Sequence, residues 1–238
     1  TVPGKVNVPE LRVSARRIWE AALTAADPAN CIEKSLRLDG NVLSVCGMEF
    51  TIPGRIIVIG AGKASARMAQ VIEKILGSRL SAGLVVTKHG HALPLQRVAV
   101  IEAGHPIPDA AGVRAVRETR ELLDWLTPDD LVLCLISGGG SALWPATVEG
   151  IRLDEVQELT SALLRSGATI QELNTVRKHL SSISGGQLAR WAVPARVISL
   201  IMSAVIGDPV DFIASGPTAP DTTSCSGALA VVRDYGAQ

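Results

Sequence analysis

Aromatic side chains are scarce in this sequence, which contains two Phe, one Tyr and four Trp. Proteins that hold single-stranded nucleic acid stack the bases on aromatic side chains, so this scarcity argues against that class. The formal net charge is zero, so bulk electrostatics attracts neither nucleic acid nor an anionic membrane surface. We therefore expect no nucleic-acid partner.

Long apolar runs and paired cysteines are also missing. No apolar run reaches the ~18 residues that a membrane-spanning helix needs, and no signal-peptide pattern opens the chain. The four cysteines are scattered without a C-x-x-C pair, and Cys134 lies inside an apolar segment, which predicts a buried free thiol in a reducing compartment. These features predict a cytoplasmic protein with no membrane partner.

Apolar runs and helical patterns alternate along most of the chain. The runs that predict strands are 55–59, 84–87, 98–101, 131–136 and 197–202, and the patterns that predict helices are 64–76, 109–126, 153–165 and 169–183. This alternation predicts an α/β fold with a mostly parallel sheet and helices on both faces. A helix at 9–27, ended by Pro28, and a hairpin of 42–45 with 49–52, suggested by the turn at 39–41, predict a small N-terminal annex.

The most informative segment is Gly138-Gly139-Gly140, which lies between Ser137 and Ser141 directly after an apolar run. Ligands of open α/β sheets bind outside the carboxyl ends of the strands. Glycines there leave backbone N–H groups uncovered by Cβ atoms, and such groups suit an anionic oxygen. The segment predicts a phosphate or carboxylate site, and the alternative is a tight turn with no ligand.

A second glycine-rich segment, Gly60 to Ser65, follows the first predicted strand of the sheet. It fails the dinucleotide fingerprint because Ser65 stands at the third glycine position, and it fails the Walker A pattern because Ala64 follows the lysine. Two glycines, Gly60 and Gly62, remain at a strand end, with Lys63 at the start of a helix, where a cation is unfavourable unless an anion binds there. The alternative is a solvated surface lysine.

Further polar residues cluster after other predicted elements. His105 follows a strand and is either a ligand contact or a structural turn residue. Asn174, Arg177 and Lys178 fall three and four apart on one helix face, which is either solvated or suited to a carboxylate or phosphate. Rigid, proline-rich loops after the last strand add two candidates for metal or hydroxyl contacts, Asp208 and Asp221.

Five ordered segments resemble the glycerate 2-kinase family, whose members also carry the name hydroxypyruvate reductase. These segments are GAGKAS at 60–65, EAGHPIPD at 102–109, ISGGGSAL at 136–143, GATIQELNTVRKHLS at 167–181 and GDPVDFIASGPTAPD at 207–221. The resemblance implies a Rossmann-like N-terminal domain, spanning 1–238 here, that faces a smaller C-terminal domain absent from this chain. It also implies phosphorylation of the 2-hydroxyl of D-glycerate by ATP with Mg²⁺ or another divalent cation, and a catalytic role for Lys63.

The chain departs from that family in ways that bear on activity. Family members usually have Ser-Asp-Val where this chain has Ser203-Ala204-Val205, so a carboxylate is missing at Ala204. The chain by itself is expected to carry half of the active site. A C-terminal domain, a second chain or a homodimer partner is expected to supply the other half. Two alternatives stay open. One is a nicotinamide-dependent hydroxypyruvate reductase, which needs a ribose-binding acid at the end of the second strand, where this chain has Thr87-Lys88. The other is a non-catalytic sugar-phosphate-binding module.

Overall fold

The computed structural model describes residues 7–236, which begin with a small annex of helices and antiparallel strands. The annex comprises α1 (Val8–Ala25), α2 (Pro28–Ser35), β1 (Leu36–Asp39), β2 (Val42–Val45) and β3 (Met48–Thr51). Its strands pair in the order β1-β2-β3. The predicted hairpin is confirmed as the β2–β3 pair. The turn at 39–41 lies outside this hairpin and joins β2 to β1, and β1 is a strand that the sequence did not predict.

Pro28 begins a helix as well as following one. The sequence predicts that Pro28 ends the first helix, and α1 does end at Ala25, but Pro28 is the first residue of α2. The Asp27 carboxylate caps α2 by accepting a hydrogen bond from the Ala29 N–H at 2.9 Å. Proline is favoured at the first helical position because its missing N–H has no partner there.

A five-stranded parallel sheet forms the centre of the molecule. Its strands are β4 (Ile56–Ala61), β5 (Leu80–Lys88), β6 (Val98–Ala103), β7 (Leu131–Ser137) and β8 (Arg196–Met202). They lie in the order β6-β5-β4-β7-β8, and every neighbouring pair is parallel. The predicted parallel sheet is therefore confirmed, and its order places β4 and β7 side by side at the centre.

Helices cover both faces of this sheet, as predicted. The helices are α3 (Ser65–Leu76), α4 (Ala110–Leu123), α5 (Gly140–Leu143), α6 (Leu153–Arg165), α7 (Ile170–His179), α8 (Gln187–Trp191) and α9 (Cys225–Asp234). Leu133 of β7 lies in one apolar cluster with Ile72 of α3, and the next residue, Cys134, lies in another with Ala115 of α4. Strand residues that alternate between two cores explain why the whole 131–136 run is apolar.

A third, smaller core holds α7 in place. Leu163 of α6, Leu173 and Val176 of α7, and Ala228 of α9 pack together. Thr169 and Glu172 form a capping box at the start of α7, which matches the predicted start, whereas the helix ends at His179 before the predicted 183. Within residues 7–236, no helix has both the length and the apolar character needed to cross a membrane.

Candidate active site

The two glycine segments lie together at the carboxyl edge of the sheet. β4 and β7 run in register, with Ala61 opposite Ile136, so the loops that follow them emerge side by side. The strand order reverses between these two strands, because the chain continues outward through β5 on one side and β8 on the other. This is the switch point at which open α/β sheets bind ligands. The two glycine segments therefore meet at one edge of the sheet.

The glycines of the first segment are required by close packing. A Cβ atom on Gly60 would overlap the carbonyl oxygen of Leu135, and one on Gly62 would overlap the hydroxyl of Ser137. Gly62 also has a φ of +144°, a conformation that side-chain-bearing residues rarely adopt. Gly60 and Gly62 therefore let the main chain of β4 approach that of β7.

Hydrogen bonds tie the two loops to each other. The Lys63 N–H donates to the Gly138 carbonyl at 3.0 Å, and the Ala64 N–H donates to the Ser137 hydroxyl at 3.0 Å. The Ser137 side chain is buried, so its hydroxyl serves this internal contact. Ala64 is the N-cap of α3, so Lys63 lies just before the helix. The sequence had suggested that Lys63 lies in the helix, at its start.

The second segment, by contrast, has open space at the first of its three glycines. A Cβ atom on Gly138 would meet only the Lys63 Cε atom, at 3.8 Å. A Cβ atom on Gly139, whose φ is +95°, would lie 2.8 Å from the His105 ring, and one on Gly140 would lie 2.7 Å from the Ala214 Cβ atom. The N–H groups of Gly138 and Gly139 donate no backbone hydrogen bond to any other residue in 7–236. The arrangement offers free N–H donors beside a lysine, which suits an anion.

Positive charge gathers around His105. Burial lowers the pKa of His105 below its ordinary value, and the charges of Lys63 and Lys88 lower it further. His105 therefore gains a proton less readily than a free histidine, because two cations lie near it. Sequence reasoning did not single out Lys88 as a site residue, although its place at the end of β5 puts it on the same sheet edge. The edge is cationic and can attract a phosphorylated or carboxylated ligand.

Ser141 connects the second glycine segment to a cavity of about 170 Å³. Its hydroxyl lies 2.9 Å from that of Ser215. Arg177 also lines this cavity, whereas Asn174 is buried on α7 away from its lining. Sequence reasoning missed Ser215, Ser184 and Gln157, three further polar residues of the lining, because they come from separate elements.

Lys178, the neighbour of Arg177 in sequence, lies in a different environment. Its ammonium is buried 3.4 Å from Asp211 Oδ2 and 3.4 Å from Asp221 Oδ1, and 4.8 Å from the centre of the Phe212 ring. Burial raises the pKa of Asp221, but hydrogen bonds from Thr223 and the charge of Lys178 bring it below its ordinary value. Lys178 thus pairs with two carboxylates inside the protein.

The predicted metal ligands do not converge on a preformed metal site. Within residues 7–236, no three His, Cys, Asp or Glu side chains come close enough to hold a metal ion. Asp221 contacts Lys178 and Thr223, whereas Asp208 is exposed in the loop after β8. These residues fit a cation only if most of its ligands come from elsewhere, as when Mg²⁺ binds with nucleotide phosphates.

Together, the fold and the site define a Rossmann-like α/β protein with a cationic, glycine-lined loop at its switch point. The family described as Domain of unknown function (DUF4147) matches residues 14–238. The chain belongs to this family.

Curated relatives confirm the resemblance to glycerate 2-kinases. D-glycerate 2-kinase of Thermotoga maritima is 48% identical over 183 residues, which are 76% of this chain and 44% of that protein. A relative from Agrobacterium vitis, provisionally named a hydroxypyruvate reductase, is 43% identical over 93% of this chain and 48% of its own length. The crystal structure of glycerate kinase from Thermotoga maritima superposes with a TM-score of 0.84 at 40% identity, covering 97% of this chain and 53% of that one. The chain thus spans about half the length of the curated relatives it matches.

Proposed function

We propose that this chain forms the nucleotide-phosphate side of a glycerate 2-kinase, which transfers a phosphoryl group from ATP to the 2-hydroxyl of D-glycerate. The observation that carries the proposal is the Lys63 side chain beside the free N–H groups of Gly138 and Gly139 at the switch point. The names of the Thermotoga relatives support the choice of glycerate as acceptor.

In the proposed mechanism, this chain mainly positions the phosphate groups and stabilises their charge. Phosphoryl transfer has a transition state whose charge is spread over the transferring oxygens, and catalysis consists chiefly of stabilising that charge. Lys63 provides the positive charge, and the N–H groups of Gly138 and Gly139 donate hydrogen bonds to the phosphate oxygens. These donors are held in place before ligand binds, because Lys63 N–H is bonded to the Gly138 carbonyl.

Mg²⁺ enters this proposal together with ATP. Mg²⁺ is commonly held by one or two carboxylates and the substrate phosphates, and it neutralises phosphate charge. Asp208 is the carboxylate available in the loop after β8, and Ala204 lies in the same loop. Met202 pairs with Ser137, so this loop leaves the sheet beside the second glycine segment. A carboxylate at position 204 would therefore stand next to the phosphate site, and its absence weakens metal binding in our proposal.

The reductase alternative has less support at this site. A dinucleotide-binding fold places an acid near the end of its second strand to bind the ribose hydroxyl. Here β5 ends in Thr87 and Lys88, and the buried Thr87 hydroxyl donates to the Lys63 carbonyl at 3.4 Å. A cation in place of an acid favours phosphate over an unphosphorylated ribose.

A second structural unit completes the site in our proposal. The curated relatives are about twice as long as the matched region, and Lys63 is exposed on this chain. We propose that a C-terminal domain, or a second chain, closes over the glycine loops and excludes water during transfer. If the second unit is present and no turnover occurs, the chain would instead be a sugar-phosphate-binding module without catalytic activity.

The test is Lys63→Ala, with Lys74→Ala as the matched control. Lys74 is an exposed lysine of α3 that pairs with Glu33, away from the glycine loops. With the second unit present, we expect Lys63→Ala to lower kcat with ATP and D-glycerate by at least ~100-fold, and Lys74→Ala to leave it unchanged. On residues 1–238 alone, we expect negligible turnover and weak ATP binding that Lys63→Ala weakens further.

Two results would contradict this proposal. Near-normal turnover by Lys63→Ala would remove Lys63 from the mechanism. Robust turnover by residues 1–238 without any second unit would show that one domain carries the whole active site. Circular dichroism of each variant separates lost catalysis from lost folding.

A further inference from the structure

The 170 Å³ cavity lies directly beside the second glycine segment. α6, α7, the loop at 106–108 and the segment at 141–147 surround it. Much of the wall is apolar, and its larger side chains are Ile107, Trp144, Leu153, Val156 and Leu164. Ser141 belongs both to this wall and to the glycine segment, so a ligand in the cavity reaches the proposed phosphate site.

Arg177 is the one charged side chain in the cavity lining, as far as residues 7–236 form it. Neither Asp nor Glu of that range pairs with it, in contrast to Lys178 and its two carboxylates. Burial lowers the pKa of the Arg177 guanidinium, but an arginine stays charged. A largely buried charge without a partner is costly, and an anionic ligand would offset that cost.

Hydroxyl groups line the same cavity as Arg177. Ser141 and Ser215 are 2.9 Å apart, as are Ser181 and Ser184. Such hydroxyls can donate to or accept from a polar ligand. An arginine with neighbouring hydroxyls suits a carboxylate whose carbon chain also carries a hydroxyl, because guanidinium and carboxylate match in shape and charge.

The size of the cavity decides between substrates. Its 170 Å³ is several times the ~30 Å³ that one water occupies, so a small organic acid fits. Pockets for drug-sized ligands span about 300–1,000 Å³, so this cavity is too small to enclose a whole nucleotide. The nucleotide is therefore left to the open side of the glycine segment, near Lys63.

We infer that this cavity is the acceptor site: it binds a short-chain hydroxycarboxylate, with the carboxylate on Arg177 and the reacting hydroxyl toward Ser141. The inference rests on the proposed kinase function for the identity of the reaction, and on the cavity alone for the class of ligand. It assigns Arg177 and Lys178 different roles, since Lys178 is already neutralised by Asp211 and Asp221.

Binding is measured on residues 1–238 by following the indole N–H signals of the tryptophans in ¹H–¹⁵N NMR spectra. Trp144 lines the cavity, whereas Trp19 and Trp125 are exposed elsewhere and serve as internal references. We expect D-glycerate to shift the Trp144 signal alone. Glycerol, which lacks the carboxylate, should leave all signals in place, and inorganic phosphate should not compete at equal concentration.

Two variants separate charge from space. Arg177→Gln should raise the Kd for D-glycerate by at least ~10-fold, while Arg165→Gln, on the exposed end of α6, should leave it unchanged. Val156→Phe fills part of the cavity and should also abolish the Trp144 shift with Arg177 intact. Dispersed NMR spectra show that each variant is folded, and Arg177→Met, which also removes the charge, replaces Arg177→Gln if the latter does not fold.

The outcomes distinguish this inference from the proposed function. Binding of D-glycerate that is unaffected by Arg177→Gln or Val156→Phe, or tighter binding of phosphate at the same signal, would overturn the acceptor site. No shift of Trp144 at any D-glycerate concentration would overturn it as well. If binding depends on Arg177 and no turnover occurs with the second unit present, the site stands and the kinase proposal fails.

Discussion

The glycines of the first segment and Gly138 of the second are the same residue type for opposite reasons. In the first, a Cβ atom on Gly60 or Gly62 would overlap the neighbouring strand β7 or its loop. In the second, a Cβ atom on Gly138 would meet only the tip of the Lys63 side chain, at 3.8 Å. The first segment uses glycine to bring two strands together, whereas Gly138 keeps a surface clear, and the two glycines that follow it are closely packed against His105 and Ala214.

Hydrogen bonding separates the two segments in the same way. In the first, the N–H groups of Gly62, Lys63 and Ala64 all donate within the protein. In the second, the N–H groups of Gly138 and Gly139 donate to no backbone carbonyl among residues 7–236. A glycine at the end of a buried strand therefore indicates ligand binding only where its N–H group is free.

The largest expected effect that tests this comparison comes from Gly62→Ala and Gly138→Ala. Gly62→Ala places a methyl group against the Ser137 hydroxyl at a φ of +144°, so we expect a loss of ~3 kcal/mol or more in the free energy of unfolding. Gly138→Ala should cost less than ~1 kcal/mol, because its Cβ atom has space. Urea unfolding of both variants measures the difference, and equal losses would contradict the comparison.

A smaller effect is expected from Ser137→Ala. It leaves the Ala64 N–H without its acceptor at the start of α3, which we expect to lower the free energy of unfolding by about 1–2 kcal/mol. Ser141→Ala is the control, because among residues 7–236 the Ser141 hydroxyl bonds only to that of Ser215 and is partly exposed to the cavity. A loss for Ser141→Ala larger than that for Ser137→Ala would reverse the roles that we assign to these hydroxyls.

The smallest expected effect is electrostatic. Burial and the charges of Lys63 and Lys88 hold the pKa of His105 below its ordinary value. Lys63→Met removes one positive charge, so protonation of His105 becomes easier and its pKa should rise. NMR titration of the His105 ring measures this shift, with Lys74→Met as the control. An unchanged or lower pKa would place Lys63 away from His105 and from the second segment.

Much of the fold could be predicted from the sequence because the central strands are buried on both faces. The run at 131–136 is apolar throughout, and the loops after β4 and β7 had to meet once both strands were parallel neighbours. β1 escaped prediction because Leu36–Asp39 is short and half polar. Its pairing with β2 is a tertiary contact that no local pattern reports.

The roles of individual site residues were harder to predict. Arg177 and Lys178 look equivalent in the sequence, and only the loop after β8 distinguishes them, by bringing Asp211 and Asp221 to Lys178. Ser137 and Ser141 flank the same glycines, yet one hydroxyl is buried against α3 and the other lines a cavity. These differences depend on segments far apart in the chain, so helical spacing and local motifs could not resolve them.

The central position of β4 and β7 has a consequence for the entropy of binding. Each strand is paired on both edges and buried on both faces, and such elements open only when the whole domain unfolds. The glycine loops are anchored directly to these strands, so the order of the site is established during folding. A ligand that binds there does not have to restrict the main chain itself, and more of its contact energy remains available as affinity.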